Sequence, residues 1–240
     1  MPNSYFRFKQ FTVHQDRSAM KVCTDACIQG AFTARYLARR AVPVQQVLDI
    51  GTGTGLLALM LAQQLPAAIT GIELDAAAAG QAAENFAASP WAARLQVTQA
   101  DIRDMPVARQ YDCIITNPPF YEGSLQSSNA LRNQAMHATT LGYAELLAAI
   151  AAHLDSGGLF SVLLPYAAFG IFRQLAAAAG FFPQEILEIK QSLRHGCFRS
   201  VGIFSRSAAG PALHRLAIYD EHNKYTPAFT ALLKEYYLYL

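Results

Sequence analysis

Asn117-Pro118-Pro119-Phe120 follows directly on the apolar run Tyr111-Asp112-Cys113-Ile114-Ile115-Thr116, and it is suited to gripping a planar nitrogen. An adenine amino group or a side-chain amide is a poor nucleophile, because its lone pair is delocalised into the adjoining π system. Two acceptors that bind both N–H groups favour the pyramidal state that develops during attack. The side-chain oxygen of Asn117 and the carbonyl of Pro118 can be those acceptors. The two prolines restrict the backbone, so the acceptors are set before substrate arrives. Phe120, with Tyr121, offers a ring face to an extruded base. No base of shifted pKa is needed, since the proton leaves readily once the nitrogen is cationic. Taken alone, Asn-Pro-Pro would also serve as a stiff strand terminator.

A second segment decides between those readings. About seventy residues upstream stands Asp49-Ile50-Gly51-Thr52-Gly53-Thr54-Gly55, in which three glycines let the backbone turn tightly and approach a ligand. The spacing is not the dinucleotide G-x-G-x-x-G, because the third glycine comes one residue early. Asp49 precedes the loop by two residues, where it would repel a pyrophosphate but suits the ammonium group of S-adenosylmethionine. Glu73 ends the next strand-like run, placed to accept both ribose hydroxyls, and Asp101 follows the third run, placed to approach the adenine amino group. Cofactor contacts are therefore expected from Asp49, Gly51, Thr52, Gly53, Gly55, Glu73 with its neighbour Leu74, Asp101 with its neighbour Ile102, and Asn117. The chemistry implied is transfer of a methyl group from S-adenosylmethionine to nitrogen, leaving S-adenosylhomocysteine.

These residues need a scaffold that brings strand ends together. From residue 45 the chain alternates β-type runs (47–50, 68–73, 95–98, 111–117, 159–164) with Ala/Leu-rich helical stretches (54–64, 76–88, 143–154 and on to Gly180). Such alternation predicts βαβ units and an α/β, Rossmann-like sheet of seven mostly parallel strands with helices on both faces. Residues 184–190, 200–205 and 213–220 are strand-like with no helix between them, so they are expected to pair antiparallel at one sheet edge. Residues 1–45 read as an N-terminal extension ending in a helix over 25–40, and residues 46–240 as the catalytic domain. Residues 121–142 exceed an ordinary connection, which suggests a binding loop or lid.

Composition sets the remaining bounds. The 240 residues are 52% hydrophobic, enough for a full core, and no window approaches the roughly 18 uninterrupted apolar residues of a membrane span. The N-terminus lacks the apolar stretch of a secretory signal. The four cysteines lack a CxxC pair and read as reduced, and no Cys/His cluster has metal-ligand spacing. A cytoplasmic protein without a metal, a membrane or an obligate protein partner is expected. Net charge is only +2, yet residues 1–40 carry seven Lys/Arg against two acids, and residues 190–206 carry four with none. A local basic face can serve a nucleic acid even where the total is small, although solvated surface charge is the plainer reading for each residue.

Residues 47–165 resemble the class I S-adenosylmethionine-dependent methyltransferases, with Asn117 to Phe120 matching the (Asn/Asp)-Pro-Pro-aromatic motif of their amino-methylating branch. The whole chain resembles the bacterial tRNA1(Val) adenine-N6 methyltransferase family, which modifies adenosine 37, just 3′ of the anticodon. That likeness is carried by Phe8 to Val13 with Met20 to Asp25 and Gly30-Ala31, by Asn117 to Tyr121 with Arg132 and Ala135-Met136-His137, and by Tyr225 to Phe229 with Leu232 to Tyr237. Cys23 departs from a small residue, often glycine, and Met136 from an arginine that is common before the histidine. The resemblance implies Lys21 and Thr24 over the methionine end of the cofactor, and tRNA as partner. It makes Lys9, Arg17, Tyr121, Arg132, His137, Arg194, His195 and Arg199 candidates for RNA contact. Tyr236, Tyr237 and Tyr239 are expected to dock the C-terminus rather than stack bases. Guanine-N2 methylation of rRNA and glutamine-N5 methylation of a release factor share the motif. The first often needs a duplicated domain and the second a longer helical N-terminal domain. A noncatalytic RNA-binding protein and a nicotinamide oxidoreductase are the readings from other classes, disfavoured by the intact acids and by the glycine spacing.

Overall fold

The computed structural model describes residues 3–18, 20–107, 110–119 and 141–240. Phe120, Tyr121, Arg132 and His137, with the expected binding loop around them, lie outside the described residues. The N-terminal extension forms a small antiparallel hairpin of β1 (Tyr5–Arg7) and β2 (Thr12–His14), followed by α1 (Thr24–Leu37). Then come β3 (Gln46–Ile50), α2 (Leu56–Gln64), β4 (Ala68–Glu73), α3 (Ala76–Ala87), β5 (Leu95–Gln99) and β6 (Tyr111–Thr116). After residue 140 the chain continues with α4 (Tyr143–His153), β7 (Leu154–Pro165), α5 (Tyr166–Ala178), β8 (Phe182–Ser192), β9 (Cys197–Ser205), β10 (Ala212–Tyr219) and α6 (Pro227–Leu233).

The large sheet has the order β10-β8-β9-β7-β6-β3-β4-β5. The stretch from β5 to β7 is parallel throughout, as the βαβ alternation predicts. The antiparallel edge expected beyond it is present in β9, which runs against both β7 and β8. Two details differ from the expectation. The sheet has eight strands rather than seven, and β10 pairs parallel with β8 rather than antiparallel. The reason is occupancy: β9 already has β7 on one side and β8 on the other. A strand returning from the end of β9 must therefore take the open edge of β8, in the direction of β8.

Alternate residues along each buried strand point to opposite faces. Val47, Cys113, Ile115, Leu159 and Leu163 pack with α1, α2, α3 and α6, whereas Leu48, Ile50, Ile114, Phe160 and Val162 pack with α4 and α5. Helix α1 is buried nearly all round, because the sheet lies on one side and the C-terminal tail on another. Its Gly30 permits this: a Cβ there would stand 2.7 Å from Met60 Sδ of α2. The tail closes over the extension as expected. The Lys9 amide donates to Tyr236 O at 2.8 Å, Phe8 pairs with Tyr237, and Tyr236 and Tyr237 are buried while Tyr239 projects into solvent.

Candidate active site

The carboxyl ends of β3, β4, β5 and β6 surround one cavity of about 320 Å³. The turn after β3 is built by Gly51, Gly53 and Gly55, whose φ values of 70°, 56° and 82° are ones that side-chain-bearing residues rarely adopt. Gly51 and Thr52 amides both donate to Ile72 O, at 2.9 and 3.0 Å, tying the loop to β4. Gly55 must also lack a side chain, since a Cβ would lie 2.4 Å from the Phe86 ring of α3.

Glu73 completes this half of the wall. Its Oε2 accepts from the Gly53 amide at 2.8 Å and its Oε1 from the Asp75 amide at 3.0 Å, so the carboxylate is fixed with lone pairs to spare. Asp101 lines the cavity too, gripped by Arg103 through Nε and Nη2, and that guanidinium holds its carboxyl below the usual carboxylate range. Leu74 and Ile102 join the wall beside these acids, as do Lys21, Thr52, Pro118 and Pro119.

Asp49 takes a different place. It is fully buried, outside the cavity wall, and accepts from the Thr52 hydroxyl at 2.6 Å. Burial pushes its carboxyl up to about 7, against the opposing effect of the Thr52 hydrogen bond. It stands behind the loop and braces Thr52. Gly55 and Thr24 likewise sit outside the wall; Thr24 lines a smaller cleft beside Asp25 and Phe198.

Residues 14–18 and 20–23 form a strap, four of whose residues line the cavity, held by side-chain amides that the local sequence pattern did not single out. Asn85 Oδ1 accepts from the His14 amide at 2.9 Å, and its Nδ2 donates to His14 O and Thr54 O, each at 2.9 Å. Gln81 accepts from the Arg17 amide at 2.9 Å and donates to Asp16 Oδ1 at 2.8 Å. Gln15 accepts from the Val22 amide at 2.8 Å. The signal available was two amides four residues apart in an Ala-rich helix, which puts both on one helix face.

On the opposite wall, β6 ends at Thr116, whose hydroxyl donates to Ile50 O at 2.9 Å. Asn117 follows, with a buried Oδ1 that has no hydrogen-bond partner among the described residues. A buried acceptor left unmet costs about 1–3 kcal/mol, and Asn117 lines the cavity, so a donor entering there can meet it. Among the described residues, Cys27 and Cys113 are buried with thiols pushed up to about 12 by burial, so neither is a nucleophile. No group of three or more His, Cys, Asp or Glu among the described residues could hold a metal ion.

The basic residues singled out for RNA contact are mostly engaged. The Lys9 ammonium donates to Lys234 O at 2.5 Å, Arg17 pairs with Glu84, and Arg199 Nε pairs with Asp25 Oδ2 at 3.0 Å. Arg194 is exposed, its guanidinium donating to Glu221 O at 3.4 Å and its amide to Ser192 Oγ at 3.3 Å, and His195 Nδ1 lies 2.7 Å from Ser192 Oγ. Arg199 pairs in register with Pro165 at the end of β7, so it shares the sheet end of Asn117, two strand spacings away (about 10 Å).

Residues 31–164 match the methyltransferase small domain family. The tRNA1(Val) (adenine(37)-N6)-methyltransferase of Klebsiella pneumoniae (strain 342) is 39% identical over 244 residues, covering 100% of this chain and 97% of that protein. The chain belongs to this methyltransferase family. The Dyadobacter fermentans member of the same name is 40% identical over 241 residues, with 98% of each chain covered. The fold extends further: a crystal structure described as a predicted O-methyltransferase from Agrobacterium tumefaciens superposes with a TM-score of 0.64 at 18% identity, covering 88% of this chain and 96% of that one. The sheet with its reversed β9 is thus the class I methyltransferase fold.

Proposed function

We propose that this protein methylates N6 of adenine 37 in tRNA1(Val), using S-adenosylmethionine in the cytoplasm. The carrying observation is the buried, partnerless Oδ1 of Asn117, in a cavity whose facing wall presents Glu73. The donor set fits the cofactor. A carboxylate held by two backbone amides can accept from a vicinal diol, whereas a wall carrying Glu73 and Asp101 would repel phosphate. When bound, S-adenosylmethionine supplies an electrophilic methyl on a sulfonium sulfur.

The chain's residues then have separate tasks. Glu73 anchors the ribose and Asp101 approaches the adenine edge. Lys21, Met20 and Ser18 of the strap close the cavity and exclude water. Asn117 Oδ1 and Pro118 O accept from the two N–H groups of the target amine and localise its lone pair for attack. Proton loss follows once the nitrogen is cationic, so no carboxylate or imidazole is required at that point. The anticodon loop already presents unpaired bases, so extruding one there costs less than in a duplex. Arg194, His195 and Arg199, at the same end of the sheet, support the reading of an RNA-facing rim. Nucleoside mass spectrometry of tRNA from cells with and without this protein tests the proposal. N6-methyladenosine should disappear from tRNA1(Val) alone; its persistence, with loss of methylation from a protein glutamine or an rRNA guanine, would replace the proposal with one of those rivals.

A further inference from the structure

Gln29 lies in the middle of α1 with no solvent exposure at all, among buried helix neighbours that are small or apolar. Its Nε2 donates to Thr116 O at 2.8 Å, while its Oε1 has no partner among the described residues. A methionine or leucine would fill this volume but remove the donor to Thr116 O, so the hydrogen bond to Thr116 O, rather than packing alone, accounts for glutamine here. Four residues on, Thr33 projects toward the next strand, its Oγ1 2.7 Å from Ser161 Oγ. That pair is mutually satisfied and sits inside the sheet; the Gln29 bond falls on the last residue before the transfer motif.

We infer that Gln29 is a positioning residue that fixes the peptide unit from which Asn117 hangs. The carbonyl of Thr116 and the amide of Asn117 belong to one planar group, so holding the oxygen sets the direction from which the Asn117 backbone departs. On the other side, Pro118 restricts the ψ of Asn117 and its own ring fixes the next φ. The Thr116 hydroxyl is already committed to Ile50 O. Gln29 thus supplies the constraint that the prolines cannot, on the N-terminal side of Asn117. The helix that carries it is itself held: α1 packs against α2, Gly30 lies against Met60, and the C-terminal tail covers it through Tyr236 and Tyr237. The N-terminal extension therefore reaches the transfer site through one amide, as well as lining the cavity through its strap.

This inference rests on the reading that Asn117 binds the target nitrogen, and a double-mutant cycle separates the two. Single-turnover methylation of tRNA1(Val) is measured for wild type, Gln29→Met, Thr33→Val, Asn117→Ala and the Gln29→Met/Asn117→Ala double variant, alongside S-adenosylhomocysteine binding by calorimetry. Gln29→Met should slow transfer about tenfold or more, since displacement of a reacting group by about 1 Å can cost on the order of 10²-fold. Its S-adenosylhomocysteine affinity and its KM for tRNA should stay within about twofold of wild type. Thr33→Val, which removes an equally buried hydrogen bond from the same helix, should leave transfer within about twofold. In the Asn117→Ala background, Gln29→Met should add less than about twofold, because the group it positions is gone. Gln29→Asn, which keeps the amide but withdraws it by one methylene, should repeat the loss if the methionine variant folds poorly. Unchanged transfer in Gln29→Met or Gln29→Asn, or an equal further loss in the Asn117→Ala background, overturns the inference. Near-normal transfer by Asn117→Ala alone would instead overturn the reading beneath it.

Discussion

The two walls of the cavity differ in how their polar groups are satisfied. On the side of β3 and β4, backbone amides and carboxylates are bonded to one another: Gly51 and Thr52 to Ile72 O, Gly53 and Asp75 to Glu73, and the Thr52 hydroxyl to Asp49. On the side of β6, the Oδ1 of Asn117 and the Oε1 of the Gln29 that supports it are both buried without partners among the described residues. On the first wall the acceptor left without a partner among the described residues is Asp49 Oδ1, which stands behind the loop and away from the cavity. On the second, Asn117 itself lines the cavity, so the energy of meeting its need is available where the chemistry occurs. The two walls thus differ in where the unmet acceptor stands, behind the loop on one and on a cavity-lining residue on the other.

That contrast can be broken at several points. The largest effect is expected on the reacting wall: Asn117→Ala should lower the rate of transfer by about 10²–10³, by analogy with loss of one preorganised oxyanion-hole donor. Its S-adenosylhomocysteine affinity, read by calorimetry, should stay within a few-fold. If affinity falls as far as rate, the two walls do not divide the work. Glu73→Ala should do the reverse. It weakens S-adenosylhomocysteine binding by roughly 1.5–3 kcal/mol, the range for hydrogen bonds to a charged acceptor, and acts on rate mainly through cofactor occupancy.

A smaller effect tests the rim. Arg194→Glu should weaken tRNA binding several-fold and leave the melting temperature unchanged. The salt dependence of binding should become shallower by about 0.7 log unit for each phosphate that the variant no longer neutralises. Arg199→Glu places a second acid against Asp25, so it should lower melting temperature as well as tRNA affinity. Equal melting temperatures for the two variants would show that the Arg199–Asp25 pair contributes nothing to the fold.

The smallest effect concerns Asp49, whose carboxyl is raised to about 7 from 3.8 by burial. Between those values the folded chain binds a proton that the unfolded chain releases. Its contribution to stability is therefore fully present below about pH 4 and lost as pH rises through about 7. The melting temperature of wild type, relative to Asp49→Asn, should fall across that window. Parallel curves would mean that Asp49 is ionised beneath the loop throughout.

Much of this was legible in the sequence because it rests on local pattern. Short apolar runs and Ala-rich helices placed most of the elements of the large sheet, although β7 begins at Leu154 rather than Leu159, and the glycine spacing, Glu73 and Asn-Pro-Pro fall on the cavity's walls. What escaped depends on distant partners. The direction of β10 follows from which sheet edge remains open, a question that no local window answers. Asp49 lies behind the loop rather than in it because of the face its position on β3 presents. Arg17 and Arg199 read as basic surface charge until Glu84 and Asp25, distant in sequence, were brought beside them. Gln29 is a single amide among packing residues, and the strap partners of the Gln81–Asn85 pair lie more than sixty residues upstream in the chain.

If Asn117 faces the exocyclic amine of adenine 37 as proposed, removing that amine abolishes transfer. Purified protein and labelled S-adenosylmethionine are given tRNA1(Val) carrying either adenine or unsubstituted purine at position 37. One methyl per tRNA, mapped to N6, is expected with adenine, and none with purine. Equal labelling of both tRNAs, or label on another nucleotide, would contradict the claim.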